Sequence, residues 1–102
     1  MRRSKIDIVR RGKQKVRGSG YFVTWDVDSS DRSMANAVWM FIHGRSVRTE
    51  GKEYTYPGFI DREGVRYLGQ SVFFVLPHRL REITQFLASK GVEYDVDIGF
   101  FP

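Results

Sequence analysis

Two segments near opposite ends of the chain alternate between an apolar face and a more polar one, and that period of two constrains the fold more than any other feature. In Tyr21–Val27, the residues Tyr21, Val23, Trp25 and Val27 point one way and Phe22, Thr24 and Asp26 the other. From Val92 to Phe101 the inward set is Val92, Tyr94, Val96, Ile98 and Phe100, with Glu93, Asp95 and Asp97 outward. Each reads as a strand with one buried face.

The text between them supplies two helices and two further strands. Asp28-Ser29-Ser30-Asp31 is turn chemistry, and Ser30 or Asp31 can cap a helix from about Arg32 to His43 that Gly44 closes. Met34, Val38, Phe41 and Ile42 share one face of that helix, broadened by Trp39 and Met40. Gly44 to Gly51 is polar and basic and reads as a loop. Glu53–Ile60 and Val65–Leu76 read as strands around the turn Asp61-Arg62-Glu63-Gly64, the first an edge interrupted by Pro57-Gly58. Ser71–Leu76 is nearly all apolar, which suits a central strand. Pro77 suits the first position of a second helix, whose stripe is Leu80, Ile83, Phe86 and Leu87 and whose end is Gly91. The order strand, helix, strand, strand, helix, strand predicts an α+β fold of ferredoxin-like βαββαβ type, an antiparallel sheet with both helices on one face.

At 102 residues, with 41% hydrophobic and 15% aromatic residues, the chain fills one core and not two. It has no cysteine, which excludes disulfides, zinc–thiolate sites and thiol nucleophiles. No apolar run is long enough to span a membrane, and no apolar stretch follows the basic amino terminus as in a signal peptide, so a cytoplasmic protein without membrane contact is expected.

The formal charge of +5 is unevenly spread. Arg2, Arg3, Lys5, Arg10, Arg11, Lys13, Lys15 and Arg17 face one acid, Asp7, in the first 17 residues, while the remainder carries more acids than bases. Such a cluster attracts polyanions, of which nucleic-acid phosphate is the commonest. We therefore expect residues 1–19 to be a flexible basic arm or short hairpin, jointed by Gly18-Ser19-Gly20 to a single domain, 20–102. The arm, with Arg45 and Arg48, and further with Arg62 and Arg66, is expected to contact the phosphate backbone of DNA or RNA.

If the helices cover the Val23 face, the open side presents Phe22 and Thr24 with five carboxylates, Asp26, Asp28, Glu93, Asp95 and Asp97. Magnesium takes carboxylate oxygens together with phosphate. Asp26, Asp28 and Asp95 are thus candidate metal ligands, and Asp26 is the candidate catalytic residue of an alternative reading, a magnesium-dependent nuclease. Without that cation the acids simply keep an exposed face hydrated. A third reading is an adaptor whose arm docks an acidic protein. His43 and His78 have no serine nucleophile beside them in sequence, and no GxxxxGK[ST] phosphate loop occurs.

Tyr21-Phe-Val-Thr-Trp-Asp26-Val-Asp28 followed by Asp31-Arg32, and Gln70-Ser71-Val72-Phe73 running into Leu80-Arg81-Glu82-Ile83, resemble the two motifs of a superfamily. It comprises the small nuclease-like proteins that assist CRISPR spacer acquisition and their relatives, the virulence-associated protein D family. The resemblance implies a ferredoxin-like homodimer that binds duplex nucleic acid, with Asp26 as a metal ligand.

Overall fold

The computed structural model describes residues 16–28, 30–69 and 71–102. Arg2, Arg3, Lys5, Arg10, Arg11, Lys13 and Lys15, expected at the phosphate interface, lie outside the described residues. The elements are β1 (Gly18–Asp26), α1 (Arg32–His43), β2 (Gly44–Thr49), β3 (Lys52–Pro57), a short 3-10 turn (Phe59–Asp61), β4 (Val65–Gly69), β5 (Val72–Val75), α2 (Pro77–Ser89) and β6 (Glu93–Phe101). The fold is α+β. Strands β4, β5, β1 and β6 lie in that order in one antiparallel sheet, and β2 and β3 form a separate two-stranded ribbon.

The helix limits follow from local chemistry. The Asp31 carboxylate accepts from the Met34 amide at 3.0 Å and caps α1. Gly44, at φ 77°, closes it by donating to the Met40 carbonyl. Pro77 opens α2, where its missing N–H costs nothing. Val38 and Ile42 of α1 and Ile83 and Leu87 of α2 enter one cluster with Val23, Trp25, Val65, Tyr67, Phe73 and Val75 of the sheet. Both helices therefore cover the Val23 face, and β5, between β4 and β1, is central as its apolar run requires. No helix among the described residues is long and apolar enough to cross a membrane.

Three expectations need correction. Glu53–Ile60 does not pair with the strand that follows. Its first residues pair back with Gly44–Thr49, the stretch expected to be a loop. The cause is Glu50-Gly51, both at positive φ (54° and 77°), the backbone of a tight two-residue hairpin turn between Thr49 and Lys52. Likewise Val65–Leu76 is two strands, reversed where Ser71 takes φ 63°. Third, Gly18-Ser19-Gly20 is no joint, since it opens β1 opposite Phe101, Phe100 and Gly99. With Val16 buried as well, the body begins before the expected boundary at residue 20.

The face away from the helices also differs from expectation. Phe22, Phe74 and Phe101 meet there edge to face at 4.7–5.7 Å, and the Arg66 guanidinium lies 3.6 Å above the Phe101 ring. Gly99 makes room for the cluster, because a Cβ at that position would fall 2.1 Å from the Phe22 ring. The carboxylates do not converge. Glu93, Asp95 and Asp97 are strung along β6 about 6.8 Å apart, and their β1 partners are Asp26, Thr24 and Phe22.

Phe73 is wholly buried at the centre of this packing, so Phe73→Ala should cost about 3–5 kcal/mol in urea unfolding. Gly99→Ala, which crowds Phe22, should cost about 1–3 kcal/mol in the same assay.

Candidate nucleic-acid interface

The ribbon β2–β3 carries the exposed cations and rings. Its register places Arg45, Val47 and Thr49 opposite Tyr56, Tyr54 and Lys52, so these six share one face, while Ser46 and Arg48 oppose Thr55 and Glu53 on the reverse. The Arg45 guanidinium lies 5.4 Å from the centroid of the Tyr56 ring. Tyr54 and Tyr56 are half-exposed, at 49% and 51%, and their Cα atoms stand about 6.8 Å apart along the strand. A two-stranded ribbon has no interior in which to bury such rings, and they remain available for another flat surface.

The ribbon is tied to the body at its root. Gly44 and Gly58 cross so closely that a Cβ on Gly44 would lie 2.2 Å from the Tyr56 carbonyl oxygen. One on Gly58 would lie 2.2 Å from the Ile42 carbonyl oxygen. The Asp61 carboxylate accepts from the Gly58 amide at 3.1 Å. This crossing sets the Arg45/Tyr56 pair at the mouth of a groove of about 540 Å³ between α1 and α2. The floor is aromatic: Phe41 stacks on Phe86 at 3.9 Å and on Phe59 at 5.2 Å. The polar wall is Arg45, Arg62, Lys90 and Glu82.

Three cations around one carboxylate leave the groove positive. Glu82 binds Arg62 Nε at 2.7 Å and Arg79 Nη1 at 3.2 Å, which fixes Arg62 at the rim. Among the described residues no ion pair engages Arg45 or Lys90. The arrangement can hold an anionic group between Arg45, Arg62 and Lys90 while an unsaturated ring lies on Tyr56 or Tyr54.

The structure separates the residues singled out from the sequence. Arg45 lies in the groove wall and Arg62 beside it, but Arg48 is on the back of the ribbon opposite Glu53. Arg66 is only 8% exposed and lies on the far face of the sheet, with Nε unpartnered, so it cannot reach a phosphate in solvent as expected. Burial, and then the charge of Arg17, depress its pKa. Burial likewise raises the Tyr67 hydroxyl above its ordinary value.

Asp26, Asp28 and Asp95 are not drawn together. Asp28 turns to Ser30, accepting from its amide at 2.9 Å and its hydroxyl at 2.7 Å, and those bonds hold its carboxyl below the usual value. Asp26 stands opposite Glu93, and Asp95 opposite Thr24. Among the described residues no three His, Cys, Asp or Glu side chains form a group able to hold a metal ion. His78 meets Glu63 at 3.2 Å, and His43 lies against the Trp39 ring at 4.6 Å.

Sequence reasoning passed over Lys52, Tyr54, Tyr56 and Lys90. The signal for the first three was present: Glu50-Gly51 flanked by residues that alternate on both sides is a hairpin pattern. Lys90 and the Phe41/Phe86 floor had no such signal, because helix packing alone brings them to the groove. No protein-family model, curated protein or solved structure matches the chain.

The Glu82 bridges are at the surface, so Glu82→Gln should change unfolding free energy by no more than about 1 kcal/mol in urea titration.

Proposed function

We propose that the protein binds single-stranded nucleic acid along the Arg45, Tyr54 and Tyr56 face of the ribbon and into the adjoining groove. The observation that carries this reading is the Arg45 guanidinium over the exposed Tyr56 ring, beside Tyr54 and opening on a groove walled by Arg62 and Lys90. Rings stack on unpaired bases of any identity while cations follow the backbone. A duplex offers no free base faces to such rings, and so a single strand fits better. The eight basic residues of the first 17 add phosphate contacts that strengthen binding without reading sequence.

The fold reading that goes with this is ferredoxin-like. With the ribbon Gly44–Pro57 taken as an insertion, β1, β4, β5 and β6 become first to fourth, and their order across the sheet is fourth, first, third, second. Every neighbouring pair is antiparallel. That order, with a helix in each of the two longer connections, is what supports the ferredoxin-like reading.

Fluorescence anisotropy with labelled single-stranded DNA and RNA, and with a duplex control, tests the proposal across a potassium chloride series. With about six phosphates neutralised, log K should fall against log salt with a slope of about −4, each contact contributing about −0.7. Tyr56→Ala should weaken single-strand binding by about 5- to 150-fold, equivalent to about 1–3 kcal/mol, with an unchanged slope. Arg45→Ala should reduce the slope by about 0.7. Glutamine at Arg10, Arg11, Lys13 and Lys15 should reduce it further. These substitutions are preferable to trimming the chain at Gly18, which would delete the buried Val16. A salt-indifferent constant, or a Tyr54/Tyr56 double alanine variant that binds like the wild type, overturns the reading. Gel analysis of the same mixtures with Mg2+, alongside Asp26→Asn, reads out the alternative of cleavage.

A further inference from the structure

The groove beside the ribbon holds more positive charge than one link of a nucleic-acid backbone can neutralise. Arg45, Arg62 and Lys90 line it together with Glu82, a net charge of +2. Glu82 is shared with Arg79, which is no part of the lining. Its bridge to Arg62 is made at Nε, and a guanidinium carries five N–H donors, so Arg62 is held in place with donors left for a second anion. The residues that precede Val16 contain seven bases and one acid, and so bring no surplus of negative charge to answer that of the groove.

The stacking track of the ribbon ends at this groove. Tyr56 stands at the mouth, beside the root of the ribbon, and Tyr54 lies two residues further out along β3 toward the hairpin turn. Inside, the rings are already engaged with one another, Phe41 being stacked on both Phe86 and Phe59. A strand whose bases follow Tyr54 and then Tyr56 reaches the groove with its next sugar and phosphate, and meets cations there in place of another platform. The volume of about 540 Å³ falls within the roughly 300–1,000 Å³ of sites that enclose one small ligand.

An internal phosphodiester carries a single negative charge, whereas a phosphomonoester carries about −1.5 to −2 at pH 7 and three acceptor oxygens. We infer, resting on the single-strand reading above, that the groove takes the terminal phosphate of the bound strand, held by Arg45, Arg62 and Lys90 with the base of its nucleotide on Tyr56. The charge of the monoester matches that of the groove, and three cations answer three oxygens. The protein thereby distinguishes a phosphorylated end from a hydroxyl end and from the interior of a strand.

Fluorescence anisotropy of the full-length protein tests this with one short, internally labelled single-stranded DNA that carries a 5′-phosphate, a 3′-phosphate or neither. A fourth strand, one nucleotide longer with hydroxyls at both ends, adds a phosphodiester without a terminal phosphate. A phosphate at one end or the other should tighten binding by about 10- to 150-fold, the range of hydrogen bonds to charged groups, and the longer strand should gain far less. Lys90→Gln, alone and with Arg62→Gln, should bring the ratio of phosphorylated to unphosphorylated affinity down toward one. Both side chains are exposed, and urea unfolding verifies that the variants are folded. Equal binding of phosphorylated and unphosphorylated strands overturns the inference and leaves the ribbon reading standing, whereas failure of all four strands to bind overturns both. A gain that survives the double substitution, or that the longer strand reproduces, puts the phosphate elsewhere and overturns the inference as well.

Discussion

Phe73 is the packing centre on which the rest of the molecule is arranged. Its ring is wholly buried, with Trp25 stacked at 5.4 Å and Phe59 and Tyr67 edge-on at 5.4 and 5.3 Å. From Phe59 the contacts pass to Phe41 and from Phe41 to Phe86. One aromatic chain thus runs from the centre of the sheet, through the 3-10 turn, to the two helices. Buried rings contribute both area and specific geometry, which holds helix against sheet at a defined position. The floor of the candidate groove, Phe41 and Phe86 with Phe59, is the outer end of this aromatic chain.

Charge is separated on the same framework. Arg45, Lys52, Arg62 and Lys90 gather at the ribbon and groove, where Glu82 is shared between two arginines. The acids Glu93, Asp95 and Asp97 lie along the edge strand, opposite Asp26 and its neighbours in β1. At physiological ionic strength exposed charges interact over roughly 8 Å, so separate clusters act on separate partners. The cations of the ribbon and groove and the acids of the sheet edge are thus held apart on the framework.

Most of the elements are legible in the sequence because their signals are local. The Asp31 cap, the Gly44 stop, Pro77 at the start of α2 and the alternation of β1 depend on side chains within a few residues of the backbone they control. The ribbon was misread because Pro57-Gly58 looks like a flaw in a strand bound for the main sheet. Its actual role, the close crossing with Gly44, appears only once α1 is packed. Among the candidate site residues, Arg45 and Arg62 stand out by charge alone. Tyr54 and Tyr56 gain meaning from the register of the ribbon, and Lys90 from the packing of α2.

The sequence by itself determined the α+β class, both helices, the first and last strands and the concentration of positive charge at the amino terminus, since period, capping and composition act within short stretches of chain. Tertiary structure alone decided which residues of equal chemical type are available. Arg45 is set at an open groove, whereas Arg66 is enclosed over Phe101, and Val23 is sealed while Ile98 is left in solvent. Burial is a property of what packs against a residue from distant parts of the chain, and alternation reports only the face on which the side chain stands.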